Sequence, residues 1–356
     1  MTRKLRIAIV GVLAIGAVGC GGSGGSSESA ASSTSSQSTV PRTVPRTTAV
    51  TLAPTTTAAP GPVYPLTGLP VTDEAAAARP ALVVKIDNHK SARPQSGLNE
   101  ADIVFEEIVE VQTRFAAVFH SQGSDPVGPI RSGRTQDVDL LGSFNRPLFV
   151  WSGGNRGVVR AIHASDLIDL SAQLTATYVG GGFYRNSDRQ GPHDLYAQSS
   201  LLWTLAPPEA GPPPAQFHYR AADDVVAGEA SAGVDLVMDN LDVGWRFDTT
   251  AGAYLRTTEG QPHDDAASGQ VNCANVIVMV VDYRRSSADA NSPEAQTIGT
   301  GEVLVFASGN VVRGTWTRTD RLSPIVLTDA TGEVIALTPG RTWIELAKVD
   351  TYTVAA

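Results

Sequence analysis

Short apolar runs separated by glycine, proline and polar residues fill the chain from residue 63 onward, a pattern typical of strands joined by turns. Up to residue 212 these runs alternate with segments of helical periodicity. The predicted strands there are Ala81–Ile86, Ile103–Val111, Arg114–His120 and Pro147–Trp151, and the predicted helices are Thr135–Ser143, Gly157–Leu170 and His193–Leu205. Gln112 and Thr113 join the second and third strands in a predicted hairpin, although neither is a favoured turn former.

Strand-like alternation dominates after residue 213. The predicted strands are Gln216–Arg220, Val234–Met238, Trp245–Asp248, Tyr254–Thr257, Val276–Val281, Gly301–Ala307, Asn310–Thr317, Ile325–Leu327 and Val334–Leu337. Turn residues at Ser308–Asn310 and Ala330–Gly332 predict hairpins between neighbouring strands. We expect a small β-sandwich or roll.

Composition divides the chain into four segments. Residues 1–20 form a predicted lipoprotein signal peptide and residues 21–62 a disordered linker. Residues 63–212 form a predicted N-terminal mixed α/β domain and residues 213–356 a β-rich C-terminal domain, which together define the α+β class. The prolines Pro212–Pro214 mark the boundary between the two domains, with a simple loop as the alternative.

The first twenty residues have the composition of a bacterial export signal. A basic start precedes an apolar run from Ile7 to Val18, which is too short to span a bilayer comfortably. Small residues before Cys20 resemble a lipobox, in which the cysteine thiol receives a diacylglycerol, although Ala17 stands where leucine is usual. The alternative is an ordinary secretory signal in which Cys20 is incidental. Lipidation leaves Cys273 as a lone thiol, which we expect to be buried beside Val276–Val281.

The linker from residue 21 to residue 62 is rich in Ser, Thr and Pro and has no aromatic residue, so it cannot bury enough surface to fold. We expect a tether that holds the folded part off the extracytoplasmic face of the cell membrane. The formal net charge is −9, and loss of the signal peptide removes three basic residues. Such an acidic chain is a poor generic ligand for nucleic acid. The predicted partners are the membrane, through the lipid anchor, and a cell-wall polymer or envelope protein.

Unusual polar residues concentrate in the stretch from Arg79 to Arg134 and directly after it. Asp87 and Asn88 follow an apolar strand, and strand ends in α/β folds often line a crevice. The predicted ligand-binding residues are Asp87, Asn88, Arg93, Glu106, Arg114, Arg131, Ser132, Arg134 and His193.

Two arginines of this set, Arg131 and Arg134, flank a Ser-Gly pair before a predicted helix. A pair of planar guanidinium groups would suit a carboxylate or phosphate group, which makes a cleft for an anionic ligand one hypothesis. The alternative is that these arginines pair with Asp87, Glu106 or Glu107 and brace the core.

The sequence contains no complete catalytic motif, so catalytic residues stay unassigned. There is no Gly-x-Ser-x-Gly nucleophile elbow, and the glycines Gly180–Gly182 lack the Lys and Ser/Thr of a P-loop. His193, followed by Asp194, is the best general acid–base candidate, with helix capping as the alternative. The segment from His263 to Asp265 is expected to be a solvated loop rather than a weak metal site. The spacing of the six histidines and two cysteines predicts no metal, and no cofactor is predicted.

Several motifs follow one another in a specific order from Tyr64 onward. They are PLTGLPV, IDNHKSARPQSGL, GPIRSGR and GPHDLYAQ, with PGRTWIEL from Pro339 to Leu346 near the end. In this order they closely resemble the bacterial domain family of unknown function that includes the YerB-type lipoproteins. The resemblance implies N- and C-terminal family domains and implies no activity, since the family has no assigned reaction.

Two functional hypotheses follow. The first is a non-enzymatic envelope lipoprotein that binds or scaffolds a cell-wall component or a partner protein, which the anchor, the tether and the lack of a catalytic motif favour. The second is an envelope hydrolase or transferase acting on an anionic wall polymer through Asp87, Glu106 or His193. Convergence of these groups with Arg131 and Arg134 on one open pocket would favour a ligand site or an enzyme. Burial in mutual pairs would favour a scaffold.

Overall fold

A computed structural model of the chain describes residues 61–221 and 224–356. The predicted signal peptide with Cys20, and the predicted linker up to residue 60, lie outside the described residues. Within the described part, no helix combines the length and the apolar character needed to cross a membrane.

Strands make up most of the regular structure. In chain order they are β1 Leu82–Asp87, β2 Ile103–Val109, β3 Gln112–Phe119, β4 Leu148–Trp151, β5 Ile168–Ser171, β6 Tyr184–Arg185, β7 Leu195–Tyr196, β8 Glu229–Ala230, β9 Gly233–Met238, β10 Leu241–Asp248, β11 Ala253–Thr258, β12 Gln261–Pro262, β13 Asp264–Asp265, β14 Gly269–Gln270, β15 Asn272–Cys273, β16 Asn275–Val280, β17 Tyr283–Arg285, β18 Pro293–Ala295, β19 Gly299–Ala307, β20 Asn310–Arg318, β21 Val326–Asp329, β22 Thr342–Ala347 and β23 Tyr352–Ala355. The helices are α1 Glu74–Ala78, α2 Gln136–Leu140, α3 Arg156–His163, α4 Thr175–Gly180 and α5 Ser199–Trp203, with 3-10 turns at Lys90–Ala92 and Gly142–Phe144. A mixed first half and a β-rich second half confirm the predicted α+β class.

The larger sheet has the strand order β21-β20-β19-β16-β22-β2-β3-β1-β4-β5, with β8 paired to β20. Strands from both halves of the chain therefore share this sheet. The junction is β22, near the end of the chain, which pairs in parallel with β16 on one side and with β2 on the other. The carboxyl ends of β1, β4 and β5 point the same way, because β4 pairs in parallel with both of its neighbours.

A smaller sheet has the order β12-β11-β10-β9-β23, with β15 paired to β11. Its inward side chains, such as Val234 and Trp245, share one hydrophobic core with Val84 and Trp343 of the larger sheet. A second core lies on the other face of the larger sheet, where residues of α2 and α3 cover Val83, Phe105 and Phe149. The larger sheet is therefore buried on both faces, which explains why every residue of β1, β2 and β22 is buried.

Two predicted helices are each a combination of helix and strand. The segment Gly157–Leu170 contains α3 and then β5, because Ser165 Oγ bonds to the carbonyl of Ile162 and ends the helix with a turn. The segment His193–Leu205 contains β7 and then α5. There the backbone N–H of Ile130 donates to the carbonyl of Leu195, so a long-range strand contact overrides local helical periodicity.

Three local predictions are also wrong. The β2–β3 turn lies at Glu110–Val111, since Gln112 already pairs with Val109. The predicted strands Gln216–Arg220 and Val334–Leu337 form only isolated bridges, of which one joins Tyr219 to Leu337.

The predicted Ser308–Asn310 hairpin is confirmed between β19 and β20, where Ser308 and Gly309 both have positive φ.

Candidate functional site

Charged side chains lie inside strands that are otherwise apolar and fully buried. Lys85 and Asp87 in β1, Glu106 and Glu107 in β2, and Glu345 in β22 are each 0% exposed. Successive side chains of a strand point to opposite faces of the sheet. The charges therefore divide into one group facing the smaller sheet and another on the face covered by α2 and α3.

The group facing the smaller sheet is closed around Arg256 of β11. The Arg256 guanidinium donates to the carboxylate of Glu106, which also accepts a hydrogen bond from Thr113 Oγ1 at 2.6 Å. Glu345 accepts a hydrogen bond from Trp245 Nε1 at 2.8 Å, and burial together with the neighbouring Glu106 raises the pKa of Glu345 well above its ordinary value. We call Arg256, Glu106 and Glu345 the core acid cluster. Because all three are fully buried, the cluster joins the two sheets and offers no surface to a ligand.

Asn88 and Arg93 extend the core acid cluster toward the surface. Asn88 Nδ2 donates to Glu106 Oε1 at 3.1 Å, and Asn88 Oδ1 accepts from Arg93 Nε at 3.2 Å. Arg93 also pairs with Glu259 at 3.0 Å. These three members of the predicted ligand-binding set, Asn88, Arg93 and Glu106, therefore brace the two sheets. Asn88 directly follows Asp87 in an extended segment, so the two side chains point to opposite faces.

His263 and Asp265 are buried, which corrects the expectation of a solvated loop. Asp265 Oδ2 accepts hydrogen bonds from the backbone N–H groups of Gly97 at 2.8 Å and Leu98 at 2.9 Å. His263 Nε2 lies 2.9 Å from Gln95 Oε1. The side chains of Asp265 and His263 therefore both fix the segment after β1 to the smaller sheet. In residues 61–221 and 224–356, no set of three or more His, Cys, Asp or Glu side chains is placed to hold a metal ion.

The group on the other face surrounds Asp87 at the carboxyl end of β1. Asp87 Oδ2 lies 2.6 Å from His193 Nδ1 and 3.1 Å from Arg131 Nε, while Oδ1 accepts the backbone N–H of His89 at 3.0 Å. The rings of His89 and His193 stack with their centroids 4.4 Å apart. We call Asp87, His89, Arg131 and His193 the Asp87 site. Asp87 is fully buried, whereas the side chains of Arg131 and His193 are 20% and 15% exposed, so the site opens to solvent on their side.

Backbone pairing brings the three sequence motifs of this site together. The backbone N–H of Arg131 donates to the carbonyl of Lys85 at 2.9 Å, and that of Asp87 donates to the carbonyl of Pro129 at 2.9 Å. The segment carrying Arg131 therefore runs beside the end of β1. The backbone N–H of Ile130 in turn donates to the carbonyl of Leu195 at 2.7 Å, which places the GPHDLY segment, with its histidine, next to Asp87.

Arg114 and Arg134 lie beside the Asp87 site but differ in their partners. Arg114, the cross-strand neighbour of Asp87, donates from Nη1 to the carbonyl of Ser132 at 3.0 Å. Among residues 61–221 and 224–356 its buried Nε has no hydrogen-bond partner. Burial and the nearby Arg134 lower the pKa of Arg114 to about 10, so Arg114 stays a cation at neutral pH. Arg134 is held by Glu110 through two hydrogen bonds of 2.9 and 2.6 Å. Its charge is therefore already balanced.

Lys85 forms a closed ion group deeper on the same face. Lys85 Nζ lies 2.5 Å from Glu107 Oε1 and 2.7 Å from Asp137 Oδ1, and all three are fully buried. Burial and the nearby Asp137 carboxylate raise the pKa of Glu107 to about 7. This group fixes α2 against the sheet directly below the Asp87 site.

Sequence reasoning placed His89 among the polar residues of the opening stretch without a separate role, and it assigned no role to Lys85, Glu110, Arg256 or Glu345. Lys85 and Glu345 did carry a detectable signal, since each stands inside an apolar run, and a buried charge requires a partner. His89, Glu110 and Arg256 carry no such signal, because their roles depend on contacts that only the sheet registers create.

Comparison with known proteins identifies the class to which this fold and site belong. Residues 66–210 match the family described as "Protein of unknown function (DUF3048) N-terminal domain", and residues 234–344 match its C-terminal domain. The chain is 30% identical over 291 residues to "Putative lipoprotein YerB" of Bacillus subtilis (strain 168), covering 79% of this chain and 85% of that relative. The crystal structure of YerB protein from Bacillus subtilis matches with a TM-score of 0.73 and 26% identity, over 83% of this chain and 99% of that one. The chain belongs to the YerB family.

Proposed function

We propose that the chain is a lipid-anchored protein of the bacterial envelope that binds an anionic group of a cell-wall component at the Asp87 site without converting it. The anchor is supported by the predicted export signal with its lipobox-like Cys20 and by the similarity to the relative named "Putative lipoprotein YerB". The predicted linker then places the folded part at a distance from the membrane, within reach of the wall.

One observation carries the binding proposal. Within the described part of the chain, Arg131 pairs only with Asp87, and its terminal nitrogens make no hydrogen bond although the side chain is 20% exposed. A guanidinium presents two parallel N–H donors, which match the two oxygens of a carboxylate or phosphate. The geometry therefore suits a small anionic group seated on Arg131.

The charges nearest the opening of the site favour an anion as well. Arg131 and Arg114 supply two cations and Asp87 one carboxylate, and the charges of Arg134 and Glu110 offset each other. The buried Lys85 group below adds one cation and two carboxylates, although the pKa of Glu107 is raised to about 7. The partly exposed Arg131 is therefore the cation that an anion entering from solvent would meet.

The test is the thermal unfolding of the fragment from Gly61 to Ala356, which contains both hydrophobic cores. It is measured with muropeptides, teichoic-type phosphates and divalent metals. We expect an anionic compound to raise the unfolding temperature of the wild type and not that of a folded Arg131→Ala variant. The control is Arg246→Ala, which removes an exposed arginine from β10 and should keep the shift. An equal shift in Arg131→Ala would refute binding at the Asp87 site, and failure of Arg131→Ala to fold would support the bracing interpretation.

A second candidate function, an envelope hydrolase or transferase, is favoured by the hydrogen bond of 2.6 Å between His193 Nδ1 and Asp87. A carboxylate on Nδ1 holds an imidazole in the tautomer whose Nε2 can accept a proton, as in a general base. Incubation with muropeptides followed by mass spectrometry tests this function. Product formation that is lost in His193→Gln would establish an enzyme, whereas binding without product supports the non-enzymatic proposal.

A further inference from the structure

The exposed face of α3 carries a row of basic side chains next to the Asp87 site. Arg156, Arg160 and His163 are exposed and follow one another at intervals of four and three residues, which places them on one side of a helix. Together with Val159 they line a shallow depression of about 580 Å³. Only His163 has an ion-pair partner among the described residues, Asp169 at 2.9 Å. The two arginines are therefore free to bind.

The backbone connects this row to the Asp87 site. The N–H of Ser152 donates to the carbonyl of Arg131 at 2.8 Å, and the N–H of Gly133 donates to the carbonyl of Gly153 at 3.2 Å. The helix begins three residues after Gly153, at a Cα distance of at most about 11 Å. From Arg156 to His163 the helix rises by about 10 Å. The basic row thus begins within about 11 Å of Gly153, which is bonded to the segment after Arg131, and extends along the helix for about 10 Å.

We propose that the Asp87 site and α3 together bind a linear polymer that bears repeated phosphate or carboxylate groups. This inference rests on the proposed function, since it makes the Asp87 site the first of two contacts along one strand of polymer. The arginines of α3 lie on a different element from Arg131, so they offer a second contact to further charges of the same ligand. A polymer held at Arg131 presents its next charges to Arg156 and Arg160 at a high effective concentration.

A planar anionic membrane is a poorer fit to the same row. The chain carries a net charge of −9, and Asp169 lies 2.9 Å from His163 at the end of the row, so a flat negative surface would meet carboxylates as well as the arginines. A narrow polymer strand contacts the strip alone. Charge complementarity therefore selects a flexible polyanion as the occupant.

The experiment compares inorganic polyphosphate and poly-glutamate of defined length with inorganic phosphate and free glutamate, by isothermal calorimetry on the fragment from Gly61. We expect one polymer to bind at least about a hundredfold more tightly per chain than its monomer. The Arg156→Ala/Arg160→Ala variant should lose at least tenfold in polymer affinity and keep its monomer affinity. Alanine is the best helix former, so this variant should fold. Arg131→Ala should lose both ligands.

The matched control, Arg246→Ala/Arg313→Ala, removes the same charge from β10 and β20 and should bind like the wild type. Monomer binding with no gain for either polymer would overturn this inference and leave the proposed function intact. Absence of binding by monomer and polymer alike would overturn both. If the control lost as much polymer affinity as Arg156→Ala/Arg160→Ala, the net charge of the protein alone would explain the loss, and the inference would be overturned. Binding to phosphatidylglycerol vesicles without binding to either polymer would also overturn it, in favour of a membrane surface.

Discussion

Removal of the cation from the core acid cluster is the most informative perturbation of this fold. Arg256 is fully buried, is hydrogen-bonded to Glu106, and lies over the ring of Trp343 at 5.1 Å. Methionine keeps much of the apolar volume of arginine and removes its charge. Arg256→Met therefore leaves the carboxyl groups of Glu106 and Glu345 together in one buried site without a cation.

The expected loss of stability follows from the burial of the ion pair between Arg256 and Glu106. Breaking a buried ion pair by removal of one partner costs about 3–5 kcal/mol, because the remaining charge has lost both water and its partner. Against a free energy of unfolding of about 5–15 kcal/mol, the variant stays folded in water but unfolds in roughly 1–2 M less urea.

The pH dependence of the free energy of unfolding gives a second test of the Arg256→Met variant. Arg256 lowers the pKa of Glu345, which burial otherwise raises, so the variant raises this pKa further. A carboxyl group whose pKa is raised on folding makes stability fall as pH increases above its unfolded value. The loss caused by Arg256→Met should therefore be smaller at pH 5 than at pH 8.

Urea unfolding followed by tryptophan fluorescence measures this loss directly, since Trp245 and Trp343 both contact the cluster. The Glu106→Gln/Arg256→Met double variant is the control, because it removes the cation and one carboxylate together. We expect the double variant to be less destabilised than the sum of the single variants, by about 0.5–3 kcal/mol. An unchanged urea midpoint in Arg256→Met, or a loss that is the same at pH 5 and pH 8, would refute this account of the cluster.

Three further predictions concern buried groups outside this cluster. Burial lowers the pKa of His120 to about 4, so the contribution of His120 to the free energy of unfolding should fall by roughly 2 kcal/mol from pH 7 to pH 5. His120→Gln should remove this contribution from the pH dependence of urea unfolding. Asp265→Ala removes the acceptor of the Gly97 and Leu98 N–H groups and should cost about 2–4 kcal/mol in thermal unfolding, whereas alanine at exposed Asp264 should cost less than about 0.5 kcal/mol. Burial raises the pKa of the Cys273 thiol, so iodoacetamide should modify the fragment from Gly61 only in denaturing urea; rapid modification in buffer would contradict the buried position.

The sequence predicted strands better than it predicted their partners. Apolar runs located β1, β2 and β16 to within about two residues, because these strands are buried on both faces and their apolar residues are nearly continuous. It failed at β5 and β7, which are both short. β5 forms by pairing with β4, whereas β7 pairs with β6 and is also bonded through Leu195 to the distant Ile130. Local periodicity contains no information about such contacts.

In the candidate site as well, the sequence identified residues but not the partners that they contact. Asp87, Arg131 and His193 lie in separate motifs, and the structure brings them together at the end of β1. Asn88 and Glu106 contact the other face of the sheet, which the two-residue period of a strand indicates for neighbours such as Asp87 and Asn88. The partner of Glu106 could not be predicted, since Arg256 lies 150 residues away in the chain and meets it only through the packing of the two sheets.

The central position of β22 constrains how the chain can fold. This strand spans residues 342–347 of 356, and without it both β2 and β16 would present an open edge in the middle of the larger sheet. A chain that emerges from its amino end, from a ribosome or through an export channel, cannot close the larger sheet until residue 347 is free. The order of strands therefore delays closure of this sheet until β22 has emerged, and a truncation before residue 342 would leave two unpaired edges as sites for aggregation.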